Sequence, residues 1–170
     1  NKYKFLSTMN YFLKDKFISI IKINKKNINF HARHNVKKKR YKYIILNRLM
    51  ISPIYEKRSW WIKKELDIAE MKKGIKFFLG KHNFSSMRAA SCSAKSPIKT
   101  ITKAEVKKKG NKIVIIFESK SFLQKQVRSM VGCLKYVGEN KWKPEKIKSI
   151  IKQKKREFCA PPAPPYGLYL

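Results

Sequence analysis

Apolar positions along the chain change period several times, and each change marks an element. Between residues 3 and 14 they fall at Phe5, Leu6, Met9, Phe12 and Leu13, a helical spacing, and the run FISIIKI that follows at 17–23 reads as a strand. In KKKRYKYIILN, 37–47, Arg40 and Lys42 alternate with Tyr41 and Tyr43, as in a half-exposed strand that sets two rings on one face. The helical period returns at 67–79: Asp67 with Glu70 makes a capping box, Ile68, Met71, Ile75 and Phe78 form the buried face, and Gly80 ends the run. Two β-rich stretches on either side of Gly110 and Asn111 read as a hairpin.

Residues 122–138, FLQKQVRSMVGCLKYVG, read as the next helix, with Leu123, Val127, Met130, Val131 and Leu134 as its core stripe. Gln124, Arg128 and Gly132 share a second row at i, i+4 and i+8. A glycine inside a helix costs about 1 kcal/mol relative to alanine, so something is expected to pack against the backbone at Gly132. Pro144 and Glu145 open a last helix whose buried face is Ile147, Ile150 and Ile151. The prolines of CAPPAPPYGLYL, 159–170, then force an extended chain with a strand-like end. The order predicts an α+β fold, a mostly antiparallel sheet with helices packed on one face.

Charge changes the picture more than length does. The chain has 42 Lys and Arg against 10 Asp and Glu, a formal charge of +32 that internal pairing cannot neutralise. A polyanion is expected close by, and nucleic acid leads, because each phosphate neutralised by Lys or Arg releases a condensed counterion and aromatic side chains offer stacking faces. Of the cations 35 are Lys and only 7 Arg, with Asn and Ile abundant, a bias that an AT-rich genome imposes on any surface, so the arginines carry more information. No apolar run approaches the ~18 residues of a membrane span. Cys92, Cys133 and Cys159 are odd in number and far apart, which indicates neither a disulfide framework nor a zinc site and fits a reducing compartment. His31 and His34 in HARH lack further metal ligands. Trp60 and Trp61, adjacent on an extended chain, point opposite ways, one to the core and one to the surface.

Four blocks in order resemble the tRNA pseudouridine synthase A family in its bacterial and mitochondrial form: FHARHNVKKKRYKYIILNR, FLGKHNFSSMRAASCSAKSPIKT, FLQKQVRSMVGCLKYVG and APPAPPYGLYL. The resemblance runs over roughly residues 8 to 170. It implies one pseudouridine-synthase-like domain, with 1–29 a connecting helix and strand and 30–170 the family's C-terminal half. It also implies isomerisation of uridine in the anticodon stem-loop of tRNA, on a base flipped out of its stack, without metal or organic cofactor. By motif position Tyr41 corresponds to the tyrosine that stacks on the base and Arg128 to the arginine that pairs with a catalytic aspartate, while Gly167, Leu168, Tyr169 and Leu170 resemble the strand lining the pocket. Arg33, Lys38, Lys39, Arg40, Arg88, Lys95 and Lys125 are the expected contacts to RNA phosphates.

The sequence departs from the family at its centre. The aspartate belongs to a Gly-Arg-Thr-Asp-Ala-Gly block upstream of everything present, and the only aspartates are Asp15, in a KDK context, and Asp67, which reads as a helix cap. Gln124 and Lys125 stand where the family has two histidines and Ser129 where it has asparagine. The chain opens on Asn1 rather than Met, and its final block stops a few residues early. The leading expectation is therefore a non-catalytic, structural RNA-binding component of a ribonucleoprotein such as a mitochondrial ribosome, bound to tRNA or rRNA and to other subunits. The alternative is the C-terminal part of an active synthase whose N-terminal half is absent. Either reading places it in a mitochondrion or a bacterial-type cytoplasm, and the family resemblance adds a possible homodimer. Arg128, without its family partner, is expected to face phosphate, solvent or another chain.

Overall fold

The computed structural model describes residues 1–32 and 34–170, which fall into two compact units, Asn1–Val36 and Lys37–Leu170. The first unit holds helix α1, Lys2–Leu13, capped by the Asn1 side chain on the Tyr3 N–H at 3.0 Å. The strand expected at 17–23 does not form. The Asn10 amide takes the place of a partner strand, accepting from the Ile20 N–H at 2.7 Å and donating to its carbonyl at 2.9 Å. Only the Ile20 backbone groups are met in this way; the apolar run is irregular, and Ile18 and Ile21 are exposed.

The second unit is built on a six-stranded sheet: β1 Lys39–Asn47, β2 Trp60–Ile62, β3 Gly80–Asn83, β4 Ile98–Lys109, β5 Lys112–Ser119 and β6 Leu168–Tyr169. The order is β2-β1-β5-β4-β3, with β6 also on β1, and every pairing is antiparallel except β1 with β2. The hairpin forms as its turn residues dictate, with Lys109 opposite Lys112 and Gly110 at φ 55°, a conformation glycine adopts without a steric penalty. The period-2 pattern decides the faces. Tyr43 and Ile45 of β1 and Ile113, Ile115 and Phe117 of β5 are wholly buried, while Arg40 and Lys42 are exposed on the opposite face.

Helices α2 Ile68–Ile75, α3 Gln126–Gly138 and α4 Lys146–Gln153 cover the apolar face. The Asp67 carboxylate caps α2 by accepting from the Glu70 N–H at 3.0 Å, and Gly80, at φ 93°, ends the run after a 3₁₀ turn at Lys76–Phe78. Met71, Ile75 and Phe78 enter the core as expected, and so do Ile147, Ile150 and Ile151 of α4. Each such side chain contributes about 1.5–3 kcal/mol by leaving water.

Helix α3 starts four residues later than the sequence suggests. Lys125 takes φ 62°, a left-handed conformation that no α-helix continues through, and the Gln126 side chain instead accepts from the Leu123 N–H at 2.8 Å. Gln124 thus leaves the row it was expected to share with Arg128 and Gly132. Its carbonyl accepts from the Ala89 N–H at 3.0 Å.

The proline-rich stretch after α4 lies along α3 as a strap. A Cβ on Gly132 would come within 2.1 Å of the Pro161 carbonyl oxygen, which is the close packing the glycine foretold. Between Pro161 and Pro165 only Ala163 keeps an N–H, and it donates to the Arg128 carbonyl at 2.9 Å. Cys133 and Cys159 meet at the same seam as buried thiols, Sγ to Sγ 3.5 Å. No helix among the described residues is long and apolar enough to cross a membrane.

Candidate nucleic-acid pocket

Where β1, the start of α3 and the end of the strap converge, they enclose a cleft of ≈ 400 Å³. Lys39, Tyr41, Phe122, Gln126, Arg128 and Leu168 are among its walls, with Lys125 at the left-handed residue before α3. The volume lies within the range of about 300–1,000 Å³ typical of small-ligand sites, large enough for one nucleobase and its sugar.

Each wall is set by local structure. Tyr41 shares the inner face of β1 with Tyr43 but stands at its open end, half-buried, with Phe122 edge-on at 5.2 Å between centroids and 84° between planes. Arg128, in the first turn of α3, is half-buried, and its Nε–H donates to the Ala163 carbonyl at 2.5 Å. Among the described residues it forms no ion pair, and no carboxylate lines the cleft. The lining cations Lys39, Lys125 and Arg128 therefore give the site a positive field that suits an anionic or carbonyl-rich ligand. Burial pushes the Tyr43 phenol, just behind Arg128, far above its ordinary value, and the arginine's charge opposes that shift.

Of the residues singled out in the sequence, the fold brings Lys39, Tyr41, Lys125, Arg128 and Leu168 to one cleft. Gly167 sits behind it, where a Cβ would lie 2.5 Å from the Ile44 carbonyl oxygen. Tyr169 turns away to donate from its hydroxyl to the Arg58 carbonyl at 2.6 Å, with Lys42 over its ring, and Leu170 is exposed. Lys38 and Arg40 both grip Glu118, at 3.2 and 2.6 Å, and hold its carboxyl below the usual carboxylate range, Lys38 first and Arg40 second. Arg88 donates to the Cys92 carbonyl at 2.7 Å, and Lys95 is exposed in the loop before β4. Arg33 lies outside the described residues.

Asp67 is occupied as a cap, and Asp15 is exposed in the first unit, in the short turn after α1. His31 and His34 place their rings 4.2 Å apart, and no group of three or more His, Cys, Asp or Glu among the described residues could hold a metal. Phe122, Gln126 and Ala163 are the site residues that sequence reasoning missed. Only Phe122 left a signal, as an aromatic directly ahead of the α3 motif.

Comparison with known proteins bears on the family. The sequence model described as tRNA pseudouridine synthase matches residues 75–170. A tRNA pseudouridine synthase A of Pelagibacter ubique (strain HTCC1062) is 54% identical over 167 residues, covering 98% of this chain and 68% of that protein. The proteins of the same name from Orientia tsutsugamushi strains Ikeda and Boryong are each 42% identical over 170 residues, and this chain spans 60% of their length. A six-stranded, mostly antiparallel sheet backed by helices, the family match over α3 and the strap, and a relative this similar together show that the chain belongs to the tRNA pseudouridine synthase family.

Proposed function

We propose that this chain supplies the base-holding wall of a uridine-to-pseudouridine isomerase acting on tRNA. Tyr41 lies against the flipped base, Arg128 faces a carboxylate contributed from outside these 170 residues, and Lys39 and Lys125 meet the flanking phosphates. The observation that carries the reading is Arg128. It is a half-buried guanidinium with one N–H fixed on a backbone carbonyl, it lines a base-sized cleft, and it has no carboxylate partner among the described residues. A half-buried guanidinium with donors left toward the cleft is stabilised when an anion enters it. Such an anion orients and stays ionised against the guanidinium, which is what a carboxylate needs to act as nucleophile or base at neutral pH. The bacterial relatives support a cytoplasm-type setting.

A second reading, a non-catalytic RNA-binding component of a ribonucleoprotein, is favoured by the 42 to 10 excess of cations, since RNA on several sides would neutralise them. One assay separates the two. The protein as its natural gene encodes it is incubated with tRNA transcripts, and pseudouridine is counted. Turnover that vanishes in Arg128→Ala supports the isomerase. Tight, steeply salt-dependent binding with no turnover supports the structural role.

A further inference from the structure

The clamp on Arg128 depends on a residue that does not touch the cleft. Ala163 holds Arg128 twice, its carbonyl accepting from Nε–H at 2.5 Å and its N–H donating to the Arg128 carbonyl at 2.9 Å. Ala163 lies between Pro162 and Pro164, neither of which has an N–H, so the strap has few bonds of its own to hold it in place. The next carbonyl along, that of Pro164, accepts from the Tyr43 hydroxyl at 2.7 Å. Tyr43 is fully buried on β1, edge-on to Trp60 at 6.4 Å and backed by Gly167, where a Cβ would come within 2.8 Å of the tyrosine ring.

We propose that Tyr43 is a positioning residue for Arg128: its hydroxyl pins the Pro164 carbonyl to β1, and so fixes Ala163 and the guanidinium that Ala163 carries. This rests on the pocket reading above and deepens it. Tyr41 and Tyr43 share one face of one strand, so the pin also ties the wall that holds the base to the wall that holds the arginine. The ring of Tyr43 packs regardless of its hydroxyl, which separates the pin from ordinary core packing. The phenol, raised by burial, keeps its proton across the physiological range and so remains a donor.

Tyr43→Phe removes the hydroxyl and leaves the ring. Two readouts are taken: solvent exchange of the Arg128 Nε–H by NMR, assigned with Arg128→Lys, and steady-state kinetics of the natural gene product on tRNA transcripts. Exchange is expected to quicken by about tenfold and kcat to fall by about tenfold, with KM within about twofold, the loss of one buried hydrogen bond. 4-Aminophenylalanine placed at position 43 restores a donor and is expected to recover both values. If Tyr43→Phe does not fold, 3-fluorotyrosine at position 43, a stronger donor in the same ring, is expected to slow the exchange. Unchanged Nε–H exchange in Tyr43→Phe, or in the fluorotyrosine protein, overturns the proposal. Absence of any isomerase activity in the unmutated protein overturns the pocket reading instead, and the exchange measurement still decides the role of Tyr43.

Discussion

Helices α1 and α3 have similar length and similar apolar periodicity, and the structure treats them in opposite ways. Of the 12 residues of α1 none is buried, and Tyr3, Phe5, Tyr11 and Phe12 are each at least 57% exposed. Of the 13 residues of α3 ten are buried, including polar Gln126 and Ser129. Periodicity states which side chains share a face, but it does not supply the layer that covers them. For α3 the second unit supplies three such layers: the sheet, α2 and the proline-rich strap. Within the first unit α1 meets an irregular stretch held by the amide of Asn10.

Truncation tests this contrast most severely. Met130→Ala, at a fully buried position of α3, is expected to cost about 2–5 kcal/mol by urea denaturation, from lost burial plus the cavity left behind. Gly132→Ala follows at about 2–3 kcal/mol. The added methyl must push the Pro161 carbonyl away, which outweighs a helix-propensity gain of about 1 kcal/mol, and the Arg128 Nε–H should lose its protection in the same protein. A result at which Gly132→Ala stabilises would mean that the strap gives way freely and contributes little to α3.

The third test addresses the outer face of the sheet. Lys38 and Arg40 depress the Glu118 pKa, so this carboxylate contributes stability that is present above its unfolded value near 4.5 and is lost as pH falls through the lower folded value. Relative to Glu118→Gln, the unmutated protein should therefore be more stable at pH 6 to 8, with the difference closing in acid below about pH 4. Glu118→Gln should also release Lys38 and Arg40, tightening RNA binding and steepening its salt dependence. The smallest effect belongs to α1: Tyr3→Ser or Phe12→Ala should change stability by no more than about 0.5 kcal/mol. A loss of several kcal/mol there would show that α1 is covered after all.

Locally encoded features were legible in the sequence. The Asp67 cap, the Gly110 turn, the buried face of α4 and the close approach at Gly132 each depend on residues within a few positions of one another, or on a single glycine. The misses are non-local. Strands β2 and β3 have three and four residues and exist because β1 and β4 offer them an edge, and the run at 17–23 is apolar enough for a strand but finds no edge. The start of α3 was missed because nothing in the identity of Lys125 announces a left-handed backbone. Motif order singled out Lys39, Tyr41, Lys125, Arg128 and Leu168, and the fold brings these five to one cleft. Ala163 contributes through its backbone alone, which no side-chain pattern could reveal.

The bond from Tyr43 to Pro164 spans 121 positions of sequence, which bears on when the pocket forms as well as on where it sits. Contacts of that range bear the largest loop-closure entropy and form late, after hairpins such as β4–β5 have removed most of the chain's freedom. The arginine seat is therefore expected to form late in folding. An intermediate that holds the β4–β5 hairpin alone has neither the β6–β1 pairing nor the arginine seat.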